Sequence, residues 1–248
     1  MHTGKLIRFG IIAIAVTALL SQGCGFIKRK STTRQYFIVS YTPDVMPPPG
    51  SQRPYPYALQ IGRFEVQRIF NRQNIIYRYS PNRIQFYDIE RWAVRPDYMM
   101  RDMIFKHFES VNLTNFVAMD FLENRPDFRL EGTVEALEKY DAGDVFYAHL
   151  AMNYKMLRVR DSQQVWSYSF DERRRVYSPE MVQTVVGLSA ILQTHMNIIV
   201  GQLDSLFLSY NTGITYTPGT PAAQPARTDS AKTDSDNSGY IIIPEKKP

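Results

Sequence analysis

Between Phe146 and Met156 every even-numbered residue is apolar: Phe146, Ala148, Leu150, Met152, Tyr154 and Met156. The odd positions include His149, Asn153 and Lys155. Side chains on a strand point alternately to opposite faces, so this run predicts a half-buried antiparallel strand with one face on a core. Two neighbours share the pattern. In Phe128-Arg-Leu-Glu-Gly-Thr-Val134 the even positions are apolar or Gly, and in Val165–Phe170 Trp166, Tyr168 and Phe170 alternate with two serines. Asp141-Ala-Gly-Asp144 and Asp161-Ser-Gln-Gln164 supply the turns. A three-strand meander therefore forms the predicted scaffold, and it needs a second layer to cover its apolar face.

Two segments can provide that layer. Pro96 and Asp97 suit the start of a helix reaching about Val111, with Tyr98, Met99, Met103, Ile104, Phe108 and Val111 near helical spacing. Ser178-Pro-Glu180 opens a second, longer helix to about Tyr210. Its apolar stripe is Val182, Val185, Val186, Ile191, Leu192, His195, Ile199, Leu203 and Leu206. Shorter strands precede the meander. Tyr36–Tyr41 is aromatic and β-branched, and Ala58–Val66 carries Leu59 and Ile61 inward with a shift of phase near Gly62, as a β-bulge produces. Residues 75–79 and 83–87, divided by Ser80-Pro-Asn82, read as a hairpin. The proline-rich stretch from Thr42 to Pro56 reads as a loop. The expected class is α+β: a mostly antiparallel sheet packed with two helices.

The N-terminus sets the address. Lys5 and Arg8 precede an uncharged run of 12 residues, Phe9–Leu20. A spanning helix needs ~20 apolar residues, so residues 1–23 read as a secretory signal. The chain's one cysteine follows in Leu20-Ser-Gln-Gly-Cys24. This looks like a bacterial lipobox, in which a thiol is the nucleophile that accepts diacylglycerol. Ser21 and Gln22 depart from the usual pattern, and ordinary secretion or an uncleaved anchor are the alternatives. No other cofactor is implied beyond the diacylglycerol and N-acyl (palmitate-type) chain on Cys24. Each buried CH₂ contributes ~0.8 kcal/mol, so two or three chains anchor stably. Gly25 stands where an inner-membrane retention Asp would be, which favours the outer membrane. Lys28-Arg29-Lys30 then rests on anionic headgroups or belongs to a solvated tether.

The formal charge of +5 loses its meaning once the signal is set aside. Removing Lys5 and Arg8 leaves 27 of the 29 basic side chains against 24 acidic ones, a mild +3 that does not call for nucleic acid. A single Cys excludes a disulfide framework and a Cys₄ zinc site. His2, His107, His149 and His195 show no metal-ligand spacing, and no phosphate loop, dinucleotide fingerprint or nucleophile elbow is present. His149 falls on the polar face of its strand and is expected at the surface. The acidic run Glu131, Glu135, Glu138, Asp141 and Asp144 is expected to be the solvated face and turn of a hairpin. No catalytic constellation emerges, so no enzyme activity is expected.

The succession Ile76-Tyr77-Arg78, Ile84-Gln-Phe-Tyr87, Arg91-Trp92-Ala93 and Pro96 resembles the ABC-type transport auxiliary lipoprotein family. These are the lipoprotein partners of MCE lipid transport systems, including the paraquat-inducible type. Arg95 replaces the first proline of the family's R-W-A-x-P-P motif. The resemblance covers roughly residues 35–209. It implies an assembly part joining the outer membrane to a periplasmic lipid conduit, with an MCE-domain protein and an ABC permease/ATPase complex as partners and with a homo-oligomer compatible. The motif residues Tyr77, Arg78, Arg91, Trp92 and Pro96 read as structural. Trp92 can anchor the start of a helix against the sheet, and Arg78 can stack on tyrosines or pair with a carboxylate. Alternatives are a lipoprotein that itself handles lipid or lipopolysaccharide, and a structural envelope lipoprotein.

The resulting organisation is a signal peptide (1–23), a lipidated tether (24–34), a globular domain (35–210) and a low-complexity tail (211–248). Residues Thr217–Gly239 are too polar to bury a core. Tyr240-Ile-Ile-Ile-Pro244 is the last apolar run, either a short strand docking on a sheet edge, in cis or on a partner, or a remnant without a role.

Overall fold

A computed structural model of the chain describes residues 33–44, 47, 49–122 and 125–213. The signal, Cys24, the basic triplet and the Tyr240–Pro244 segment lie outside the described residues. The folded unit begins at Tyr36.

The predicted meander is its centre. Strands β6 (Phe128–Ala142), β7 (Val145–Arg158) and β8 (Gln163–Val176) pair antiparallel in that order. A two-residue turn joins β6 to β7, with Gly143 at a positive φ of 71° that favours glycine. The strands run beyond the predicted limits because charged residues are also accommodated in the ladder. β7 occupies one edge of β6 along its whole length. The other edge is shared in succession by two parallel partners: β2 (Tyr55–Val66) along residues 128–134, and β3 (Asn74–Ser80) along 138–140. Beyond β2 lies β5 (Thr114–Ala118), also parallel; beyond β3 lie β4 (Arg83–Trp92) and β1 (Gln35–Phe37). The sheet thus forks about β6. The register of β2 on β6 shifts between Ile61 and Phe64, which puts a bulge at the predicted phase change.

The helices are α1 (Pro96–Val111) and α2 (Met181–Thr212). α2 begins after Glu180 rather than at Pro179, because the Ser178 hydroxyl accepts from the Glu180 amide (3.2 Å) in a turn that precedes it. It is long and apolar enough to cross a membrane by composition alone, yet 56% of its most apolar window is buried in this fold. The apolarity belongs to the core. Gly187 lets it approach β7 closely: a Cβ there would lie 2.7 Å from that of Ala148. One hydrophobic core joins both helices to the even-numbered face of β7 and to Leu59, Ile61 and Phe64 of β2. Three residues assigned to apolar stripes are instead exposed. Val182 and Val186 face away from the sheet, and Tyr98 lies at the surface beside the Arg95 guanidinium.

Tyr36–Tyr41 is not one strand. β1 ends at Phe37, and the chain then passes between the two helices as an extended strap. Its backbone bonds to side chains instead of to a sheet: Val39 N–H donates to Met99 Sδ on α1, and Ser40 N–H to Ser189 Oγ on α2. Tyr41 reaches His107 on α1, and Gln193 on α2 donates to the Thr42 carbonyl. Further on, Ser51 and Arg53 both donate to Asp204, a buried carboxylate on the core side of α2.

Candidate functional site

Two clusters of buried polar groups sit on opposite faces of β6. Burying a charge is costly unless it is paired, so each cluster must satisfy itself. On the face away from α2, four strands contribute one residue each to a row. Arg78 Nε of β3 donates to Glu138 Oε1 of β6 at 2.7 Å. The same oxygen lies 2.9 Å from His149 Nδ1 of β7, whose Nε2 is 2.8 Å from Asp171 Oδ1 of β8. Glu138 is 1% exposed and His149 6%. Each ring nitrogen of His149 thus faces a carboxylate, and the row runs unbroken from β3 to β8. Burial alone would raise the Glu138 carboxyl; hydrogen bonds from His149 and Arg78 outweigh it and hold the group below the usual carboxylate range.

The expectation of a surface His149 and a wholly solvated acidic run is therefore corrected. Glu138 and Asp141 are buried, and the reason is cross-strand pairing that a one-strand pattern does not contain. Glu138 faces His149 across the β6–β7 hairpin. The donors and acceptors of the row point at one another along the sheet and converge on no common point. The arrangement clamps strands together rather than presenting groups to a ligand.

The second cluster faces the helix side. Tyr77 OH donates to Asp141, and Lys139, only 2% exposed, donates to the Pro179 carbonyl just before α2. The ammonium lies 5.2 Å from the Tyr77 ring and 4.9 Å from that of Phe146, at cation–π distance. Burial lowers the Lys139 ammonium, partly offset by Asp141 and Glu90. A buried lysine of lowered basicity is a candidate nucleophile in general. Here its Nζ is enclosed and already donating, so it ties the start of α2 to the sheet.

The motif residues fall into this frame. Tyr77 and Arg78, neighbours on β3, serve the two clusters on opposite faces. Of the two roles expected for Arg78, it takes carboxylate pairing. Trp92 is 1% exposed at the end of β4, and its backbone N–H donates to the Gln73 carbonyl at 2.7 Å. It fixes the chain four residues before Pro96, the first residue of α1. Arg95, standing where the family motif has proline, pairs with Asp97 in the first turn. Arg91 is apart from the clusters and donates locally to the Asp88 carbonyl (3.2 Å). Sequence reasoning missed Glu138, Lys139, Asp141, His149 and Asp171. Folding the hairpin about Gly143-Asp144 and counting outward would have brought Glu138 opposite His149.

Among the described residues a mainly apolar groove of about 440 Å³ lies between the strap and α2. Tyr36, Ile38, Val182 and Val186 line it and are each between 46% and 57% exposed. It lies where the chain arrives from the N-terminal segment.

The sheet forks under two helices, and the buried polar residues of β6 pair with groups on its neighbours. The chain belongs to the ABC-type transport auxiliary lipoprotein component family, whose sequence profile matches residues 38–200. Among solved structures it is similar to a Xanthomonas campestris protein of the DUF330 family, with 23% identity, a TM-score of 0.61, and 71% of this chain and 99% of that one covered. It is also similar to an uncharacterized protein with 14% identity and a TM-score of 0.56, covering 69% of this chain and 99% of the other. At these identities the likeness shows the fold. No curated protein matches the chain. Membership makes this a membrane-associated lipoprotein of an envelope transport system.

Proposed function

We propose that the protein is the non-catalytic docking component of an ABC/MCE-type transporter that moves phospholipid-like molecules between envelope membranes. Acyl chains on Cys24 hold it to the periplasmic face of the outer membrane, and the folded domain engages the MCE conduit. The observation that carries this reading is the family match, which spans the folded domain from the strap well into α2. The use of the polar residues supports it. Groups that in an enzyme would converge on a substrate here pair across strands, which suits a rigid part that presents a surface. The chain has no nucleotide-binding motif, so in this scheme a separate ATPase subunit supplies the energy.

The test is affinity purification of the full-length lipoprotein from detergent-solubilised envelopes. MCE and permease subunits should co-purify with it in fixed proportion. Recovery of the lipoprotein without either would sink the proposal.

A further inference from the structure

Among the described residues β8 is an edge of the sheet and pairs with β7 alone. A free edge is a template for another strand, and proteins guard such edges with charge, proline or bulges. The C-terminal half of β8 is guarded by five consecutive charged residues, Asp171–Arg175. The N-terminal half is not: Gln164-Val-Trp-Ser-Tyr-Ser-Phe170 carries no charge. Its outward-facing side chains are the small, exposed Ser167 and Ser169.

The helix side of this half has an apolar lip. Trp166 Nε1 donates to Gln202 Oε1 of α2 (3.0 Å), and the Phe170 ring stacks on His195 with centroids 3.6 Å apart. Ile198 lies between those two contacts, one turn from each on the same side of the helix, and is 42% exposed. An isoleucine left 42% exposed on the helix face that meets β8 is apolar surface that one more strand would cover. The other edges differ. β4 has Arg83, Asp88, Glu90 and Arg91 along its length and is already met by β1, through Ala93 N–H and the Phe37 carbonyl. β5 has only five residues.

The chain holds a segment suited to the place. α2 crosses β8 with Gln202 over Trp166 and ends at Thr212, beyond the unguarded half. The only apolar run after it is Tyr240-Ile-Ile-Ile243, bounded by Gly239 and Pro244 and made of residues favoured in strands. From Gln202 to the helix end is roughly 16 Å at 1.5 Å per residue. A polar linker as long as the 27 steps from Gly213 to Tyr240 has a coil reach of about 30 Å, enough to bring the segment to the edge at an effective concentration of ~1 mM.

We propose that Tyr240–Ile243 adds to the edge of β8 beside Val165–Phe170 as a ninth strand of the same molecule. Either alternation works: Ile241 and Ile243, or Tyr240 and Ile242, meet Ile198 and Tyr168 while the other pair faces Ser167 and Ser169. The experiment is hydrogen exchange of the full-length lipoprotein in detergent micelles, compared with its Ile242→Pro variant. Proline removes an amide donor and breaks the added strand without touching the folded core. Amides within Val165–Phe170 should exchange at least about tenfold faster in the variant, at any protein concentration, while β7 is unchanged. Equal exchange in the two proteins overturns the proposal. So does a difference confined to Thr114–Ala118, or protection that vanishes on dilution and so belongs to a second copy.

Discussion

His107 makes the fold sensitive to acid, and the size of the effect follows from its surroundings. Its ring is fully buried in α1, with Nδ1 3.1 Å from Tyr41 OH on the strap. Nε2 has no hydrogen-bond partner among the described residues. Burial first, and then the nearby Arg53 charge, lower the imidazole to about 4, with Asp44 opposing. In the unfolded chain the group returns to ~6.5. The folded value is the lower one, so on acidification the unfolded state takes up the proton first. Stability from this residue is therefore intact above 6.5 and declines as pH falls from 6.5 toward 4. Each pH unit of difference is worth ~1.4 kcal/mol, so the full loss is about 3 kcal/mol, of which about 2 kcal/mol is gone at pH 5. His107→Gln removes the titration and keeps a partner for Tyr41. Urea unfolding at pH 7.5 and pH 5, at constant ionic strength, compares the two proteins. The wild type should lose about 2 kcal/mol more than the variant between these pH values. Parallel losses would refute the argument, because every other titrating group is common to both proteins.

Two further substitutions test the packing of the sheet. Glu138→Gln leaves Arg78 and His149 facing a neutral amide and should cost about 3 kcal/mol in urea unfolding at pH 7. Because the Glu138 carboxyl is held below its ordinary range, that deficit should shrink as pH falls below ~4.3 and the wild-type carboxylate is itself protonated. Gly132→Ala forces a methyl against the Asn153 carbonyl and to 2.6 Å from Phe64 Cε1, and should cost about 2 kcal/mol and lower Tm by several degrees. The matching change Gly201→Ala, in α2 with no atom within 4 Å of the new methyl, should stabilise by about 0.5–1 kcal/mol.

The parts of the fold legible in the sequence are those set by local periodicity. Alternation in 128–134, 146–156 and 165–170 announced the meander, and Pro96 and Ser178-Pro179 announced the helices to within three residues. The phase change at Gly62 marked the bulge in β2. Pairings between distant segments were not legible. β5 is too short for a pattern, and the parallel seating of β2 and β3 on β6 depends on which strands meet in space. The polar clusters were hidden for a related reason. Periodicity locates apolar burial, whereas Glu138, Lys139 and His149 are buried because of partners on other strands. Residue type alone places all three at the surface. Tyr77 and Arg78 were legible as a motif, and their carboxylate partners were not.

The strap and α2 together separate the two ends of the folded chain. Tyr36 arrives beside Val182 and Val186 in the first turns of α2, and the chain leaves at Gly213, so the points of arrival and departure are about 40 Å apart along one helix. Tension applied through residue 36 would pull on a ribbon held between two helices by bonds to Met99, Ser189, His107 and Asp204. Such a ribbon resists as a cable in a clamp, with several contacts yielding together, not as a zipper opened from one end. A molecule moored at that point keeps its shape under load and carries its opposite end at a fixed stand-off from the mooring.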